Sequence, residues 1–214
     1  MRRISHVELA VCQRSALRWV QSKVGTSAGH PVFGYRQALI NSIYRLHKRN
    51  SQAEATAYLE GALTRFQDQL RVDEIWDQFE AYLQWVHESG LIVADVRVVL
   101  DAPFGQRLHM GGILSRLDVT PNGYRGILFL ETRPSWREEL RFPLIQAAVA
   151  QTFSREVARV EVGIQDVDGS GLEVDRYSAT DISGAQDEFR RIEAGVVAAA
   201  HSLPGGLAWL DRTR

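Results

Sequence analysis

The hydrophobic period of this chain changes at Gly90, and the change sets the kind of fold it can adopt. Before Gly90 the apolar residues recur at three-to-four spacing; after it, Leu91 to Leu100 is rich in Val and Ile and the following stretches alternate. Helices therefore come first, then strands in succession, then helices and strands mixed. That order fits an α/β fold with a mixed central sheet flanked by helices and a helical N-terminal elaboration. Residues 1–90 form the helical part and 91–214 the α/β core, together one domain of the 214-residue chain.

In detail, a first helical stretch is predicted from about Ser5 to Val24, carried by Leu9, Cys12, Ala16, Trp19 and Val20. Gly25 to Pro31 reads as a loop, and helix resumes from about Gly34 to Arg49. The pattern from about Ala53 to Glu88 is too long for one ordinary helix, so two are expected with a break near Arg71-Val72-Asp73. Strands follow over Leu91–Leu100, Gln106–Thr120 and Gly126–Thr132, with turns at Ala102–Gly105 and Pro121–Gly123. A helix over Trp136–Phe153, strands over Val157–Gln165 and Leu172–Tyr177, and a helix over Ala179–Ser202 complete the order. No internal repeat and no low-complexity tract is present.

Cys12 is the only cysteine, which excludes an intramolecular disulfide, a four-Cys zinc site and a Cys-ligated iron–sulfur cluster within one chain. No run approaches the ~18 apolar residues of a membrane span, and Met1-Arg2-Arg3 leads into no signal-peptide core, so a cytoplasmic location away from membranes is expected.

The net charge of −1 conceals an uneven distribution. Residues 1–49 carry Arg2, Arg3, Arg14, Arg18, Lys23, Arg36, Arg45, Lys48 and Arg49 against Glu8 alone, a net of +8, which leaves −9 for the remainder. A basic segment of this kind favours a polyanion partner; its plainer reading is that the two charged parts pack on each other. Lysine is confined to Lys23 and Lys48, so no amine beyond residue 48 can act as a base or orient a water.

The segment Gly112-Ile113-Leu114-Ser115-Arg116-Leu117-Asp118, followed by Gly123 through Ser135, resembles the core of the PD-(D/E)XK nuclease superfamily in its RecB-like branch, which includes the CRISPR-associated exonucleases. That branch shows G-x-x-D-R-x-D, a turn, then a strand with D-x-K-T. Here Gly112, Arg116 and Asp118 match without a gap, Gly123 falls in the turn and Thr132 matches the final Thr. Ile4-Ser5-His6 leading to Cys12-Gln13-Arg14 is similar to the opening of these domains, and Leu140-Arg141-Phe142-Pro143-Leu144 to a later helix. The resemblance implies a restriction-endonuclease-like core.

The departures bear on activity. The two metal-holding carboxylates and the lysine of the family fall on Ser115, Phe129 and Glu131, and its upstream histidine on Ala38. A divalent cation such as Mg²⁺ prefers hard oxygen donors, so a hydroxyl and a phenyl ring remove the charge that would hold it. The resemblance thus implies a nuclease fold with no catalytic residues in place. It also implies no iron–sulfur cluster, because Cys12 takes the early cluster position and the tail offers no further Cys. Asp118 and Glu131 are the carboxylates nearest the lost site and would be the ligands of Mg or Mn under a rearranged metal-dependent mechanism. Strand parity places Asp118 on the face opposite Ser115, and Glu131 could instead pair with Arg141.

Other candidates are weaker. Asp166 to Gly171 reads as a turn, not a calcium loop. His109 is the histidine expected to line the old cleft, Gln146 is a conceivable substitute for the lost lysine, and Trp136 could be exposed to stack on a base. The expected function is a catalytically inactive domain that binds nucleic acid, DNA rather than RNA, through Arg14, Arg18, Lys23, Arg36, Arg45, Lys48 and Arg49, or that scaffolds a helicase or nuclease in a DNA-processing or defence complex. A metal-dependent nuclease with rearranged carboxylates is the alternative, and a third reading has the acidic helices from Ala53 to Glu88 dock on a basic partner.

Overall fold

The computed structural model describes residues 2–24, 33–130 and 134–211. The loop expected over Gly25–Pro31 and the residues Glu131, Thr132 and Arg133 lie outside the described residues.

The fold is α/β, a mixed six-stranded sheet with helices on both faces, consistent with a restriction-endonuclease-like core and with a helical N-terminal part. Strand β1 is Arg2–Ser5, followed by helices α1 (Leu9–Arg14), α2 (Ala16–Val24), α3 (Tyr35–Arg49), α4 (Gln52–Leu63) and α5 (Gln69–Ser89). Then come β2 (Ile92–Ala102), β3 (Leu108–Thr120), β4 (Gly123–Phe129), α6 (Arg141–Thr152), β5 (Val160–Gln165), β6 (Glu173–Asp175), α7 (Ala179–Ser202) and α8 (Gly206–Asp211). Gly90 ends the helical half: it caps α5 at φ 60, a left-handed conformation that costs glycine little.

The periodicity placed α7 correctly, and Ser178 supplies its capping box by exchanging hydrogen bonds with Asp181. Three expectations need correction. The chain before Leu9 is a strand, with Ile4 fully buried, and the helical stretch beyond it is broken at Ser15, whose hydroxyl accepts from the Arg18 N–H at 3.3 Å and starts a second helix. The acidic stretch breaks at Thr64–Asp68, not at Arg71–Asp73, because the Asp68 carboxylate accepts from the Arg71 N–H at 3.3 Å and caps α5 there. The tail carries α8, which the pattern does not announce.

Strand β3 organises the sheet. One of its edges pairs with β2 from Met110 to Val119. The other edge is shared: β1 runs parallel along Leu108–Gly111, and β4 runs antiparallel along Arg116–Thr120. Between them the edge forks. There the Phe129 N–H donates to the Ser115 hydroxyl at 3.0 Å, and the Leu130 N–H turns to the Gln165 carbonyl on β5 at 3.1 Å.

Two cores follow from the two faces. Helices α1, α2, α6, α7 and α8 bury Leu9, Trp19, Phe142, Phe189 and Leu210 against Leu100, Leu114, Leu117 and Leu128 on one face. Helices α3, α4 and α5 bury Ala38, Leu39, Leu59, Phe79 and Tyr82 against Ile127, Phe129 and Val167 on the other. Helix α6 is buried from Arg141 through Ala150, as its continuous apolar run requires.

Candidate functional site

Ser115 and Phe129, which the resemblance sets against nuclease catalytic residues, lie at the fork, under α3 and α5. Phe129 is buried, flanked by the rings of Tyr44 at 6.3 Å and Tyr82 at 6.1 Å. Ser115 faces the Tyr44 hydroxyl, and burial raises the pKa of that phenol. Ala38 is fully buried in the same core. The Arg36 guanidinium donates to the Phe129 carbonyl at 3.0 Å and so closes the end of β4. A hydroxyl, a phenyl ring and a methyl group offer a divalent cation no charged oxygen, so these residues do not fit a metal centre. Among the described residues no three His, Cys, Asp or Glu side chains are grouped to hold a metal ion. Glu131 lies outside the described residues.

Asp118 is committed elsewhere. Both its oxygens accept from Arg116, at 2.6 Å from Nε and 3.0 Å from Nη2, and the pair is buried. Arg116 also donates to the Tyr82 hydroxyl at 3.0 Å, which lies 2.7 Å from His47 Nε2. The guanidinium sits 4.9 Å from the Trp85 ring and 5.7 Å from that of Phe129. Burial pushes the Tyr82 phenol up to about 12; burial, then the nearby Arg116 charge, takes His47 down to about 4. The parity expectation is corrected here. Ser115 and Asp118 both meet residues of the α3–α5 side, while Leu114 and Leu117, also three apart, share the opposite core. Strand β2 shifts register against β3 between Val93 and Asp95, opposite Asp118 and Leu117.

The seven basic residues divide between the two faces of the sheet. Arg14, Arg18 and Lys23 lie on α1 and α2, over the first core, whereas Arg36, Arg45, Lys48 and Arg49 lie on α3, over the second. Arg14 donates to the Ala10 carbonyl at 3.1 Å, Lys23 pairs with Glu8 at 2.6 Å, and Arg18 is exposed. Helix α3 contains no acidic residue.

Arg45, Lys48 and Arg49 of α3 line a cavity of about 460 Å³ together with Asn41, Tyr44, Tyr58 and Arg97. Its lining holds four cations and no carboxylate. Lys48 reaches out to Asp95 at 2.9 Å and Arg49 to Glu54 at 3.9 Å. Arg45 instead stacks on Tyr58, 4.3 Å from the ring centroid, and Arg97 lies 5.8 Å from the Tyr44 centroid. Tyr44 therefore has one side toward Ser115 and Phe129 and another in the cavity. Arg97, Asn41, Tyr44 and Tyr58 were not singled out in the sequence; Arg97 faces α3 because it alternates with the buried Val96 and Val98, a signal the pattern Val96-Arg97-Val98 carries.

Several lesser candidates fall to structural roles. Trp136 is fully buried and donates to Glu173 at 2.8 Å, so it is not an exposed stacking platform. His109 joins Asp101, at 2.8 Å, and the neighbouring Arg3 at the far end of β3, away from the fork. Gln146 donates to the carbonyls of Val157 and Tyr177 and accepts from the Tyr177 N–H, a clasp that uses the whole amide. Arg141 pairs with Glu139 at 2.8 Å. Cys12 is buried, and burial pushes its thiol up to about 12. Residues Asp166–Ser170 form a turn closed by backbone hydrogen bonds.

A second cavity, of about 730 Å³, opens at the fork on the α1–α6 side beside the buried His6. The His6 ring occupies the space a side chain at Gly112 would need: a Cβ there, at φ 151, would stand 2.1 Å from the imidazole. No protein-family model matches this chain, and no curated protein matches it. No helix among the described residues is long and apolar enough to cross a membrane.

Proposed function

We propose that the chain is a catalytically inactive PD-(D/E)XK-type domain that binds nucleic acid on the α3 face. The observation that carries the reading is the position of Tyr44, between the plugged fork and a cavity lined by Arg45, Lys48, Arg49 and Arg97. Ala38, Ser115 and Phe129, at positions where a nuclease of this type would hold metal, offer no acidic donor among the described residues. A cationic, carboxylate-free cavity stands beside the fork, suited to a phosphodiester backbone. The basic α1–α2 residues would serve as a separate contact. A DNA-processing or defence complex with a helicase or nuclease, in the cytoplasm, is the setting this reading suggests.

Fluorescence anisotropy with single- and double-stranded oligonucleotides at low and high salt tests it. Binding should weaken steeply with salt, by about 0.9 log–log units per phosphate contact on duplex DNA. The same oligonucleotides should stay intact with Mg²⁺ or Mn²⁺. Cleavage abolished by Glu131→Ala would overturn the inactive reading in favour of rearranged carboxylates. Absence of binding at low salt would leave only a protein scaffold.

A further inference from the structure

The four cations of the α3 cavity are not equivalent. Lys48 and Arg49 lie in the last turn of α3, where positive charge is favoured by the helix dipole, and each has a carboxylate partner. Their presence is explained without a ligand. Arg45 lies one turn earlier and Arg97 on a strand, and neither has a carboxylate partner among the described residues. Both guanidiniums are instead held over tyrosine rings. Arg97 also adopts a left-handed backbone, φ 55, a conformation disfavoured for a residue with a side chain. It alternates with the buried Val96 and Val98, so its side chain lies on the face toward α3.

We infer that this cavity is a pocket for a terminal phosphate monoester on a nucleic-acid strand. The inference rests on the nucleic-acid reading above and narrows it. A bridging phosphodiester carries one negative charge, whereas a terminal monoester carries close to two, about −1.5 to −2 at pH 7. Two uncompensated guanidiniums match the second in charge and in forked donor geometry. The cavity, about 460 Å³, is open to solvent, so a strand end can reach both guanidiniums. Asn41 and the tyrosines supply neutral donors and faces for the adjoining sugar and base.

The experiment compares short single-stranded DNA carrying a 5′-phosphate, a 3′-phosphate or hydroxyl ends, each labelled at the opposite end, with inorganic phosphate and a phosphoserine peptide as competitors. One phosphorylated end should bind about tenfold tighter than the hydroxyl end, the scale of one strong charged contact. Arg45→Gln combined with Arg97→Asn, the latter tolerant of positive φ, should bring the phosphorylated end down to the affinity of the hydroxyl end, with a smaller loss for the hydroxyl end itself. Equal binding of phosphorylated and hydroxyl ends overturns the inference and leaves the nucleic-acid reading standing. Binding of no oligonucleotide overturns both, and direct binding of a labelled phosphoserine peptide in its place would assign the pocket to a phosphoprotein. An unchanged melting temperature of the double variant confirms that the loss is local.

Discussion

Two regions of the molecule meet at Tyr44 and handle charge in opposite ways. Beneath it, Arg116 and Asp118 satisfy each other in a buried pair, and Tyr82, His47, Trp85 and Phe129 close around them. Above it, Arg45 and Arg97 stand over tyrosine rings in an open cavity with no carboxylate in its lining. A charge neutralised inside the fold is structural; a charge held in place but left uncompensated is available to a partner. A basic α3 face thus stands beside a fork whose described residues Ala38, Ser115 and Phe129 carry no carboxylate.

Removing one partner of the buried pair should have the largest effect. Asp118→Ala leaves the Arg116 guanidinium buried and unpaired, and urea denaturation should show a loss of about 3–5 kcal/mol. Replacing both by apolar residues of similar volume, Arg116→Met with Asp118→Leu, should recover most of it. If Asp118 were a metal ligand in an open site, the single substitution would instead leave stability nearly unchanged.

Acid should be the next most damaging perturbation. The folded state holds His47 near a pKa of about 4, while the unfolded chain titrates near 6.5. The unfolded state therefore binds its proton first, so this contribution is complete above pH 6.5 and is lost as pH falls toward 4. At about 1.36 kcal/mol per unit the loss approaches about 3 kcal/mol. His47→Gln should flatten the stability profile across that interval, as measured by denaturation at several pH values.

Tyr82→Phe removes the hydroxyl between His47 and Arg116 and should cost about 1–3 kcal/mol, because one guanidinium donor loses its buried acceptor. The smallest stability effect belongs to the open region. Lys48→Ala, which breaks the exposed pair with Asp95, should change stability by less than about 1 kcal/mol. Its effect should appear in nucleic-acid affinity, which separates the two regions cleanly.

The long periodic segments were legible in the sequence because tertiary packing did not oppose them: α3, α5, β2, β3 and α7 lie close to where the spacing placed them. Short elements were not. The four residues of β1 become a strand only by pairing with Leu108–Gly111, a hundred residues away. Exposure of Trp136, which follows Pro134-Ser135, was left open by the sequence; the acceptor that lets its indole N–H be buried is Glu173, which arrives from β6. At the candidate site, the substitutions Ser115 and Phe129 were visible directly. What they touch was not, since Tyr44 and Tyr82 reach them from two helices. The charge split marked α3 as basic but could not show that α1 and α2 lie across the sheet from it.

The most direct test is the salt dependence of single-stranded DNA binding, compared between the wild-type chain and a variant combining Arg45→Gln, Lys48→Gln, Arg49→Gln and Arg97→Asn. Each phosphate contact adds about 0.7 units to the log–log slope on single strands, so the wild type should bind with a steep slope and the variant with a much shallower one. An identical slope in the two proteins would contradict the assignment of nucleic-acid binding to the α3 face.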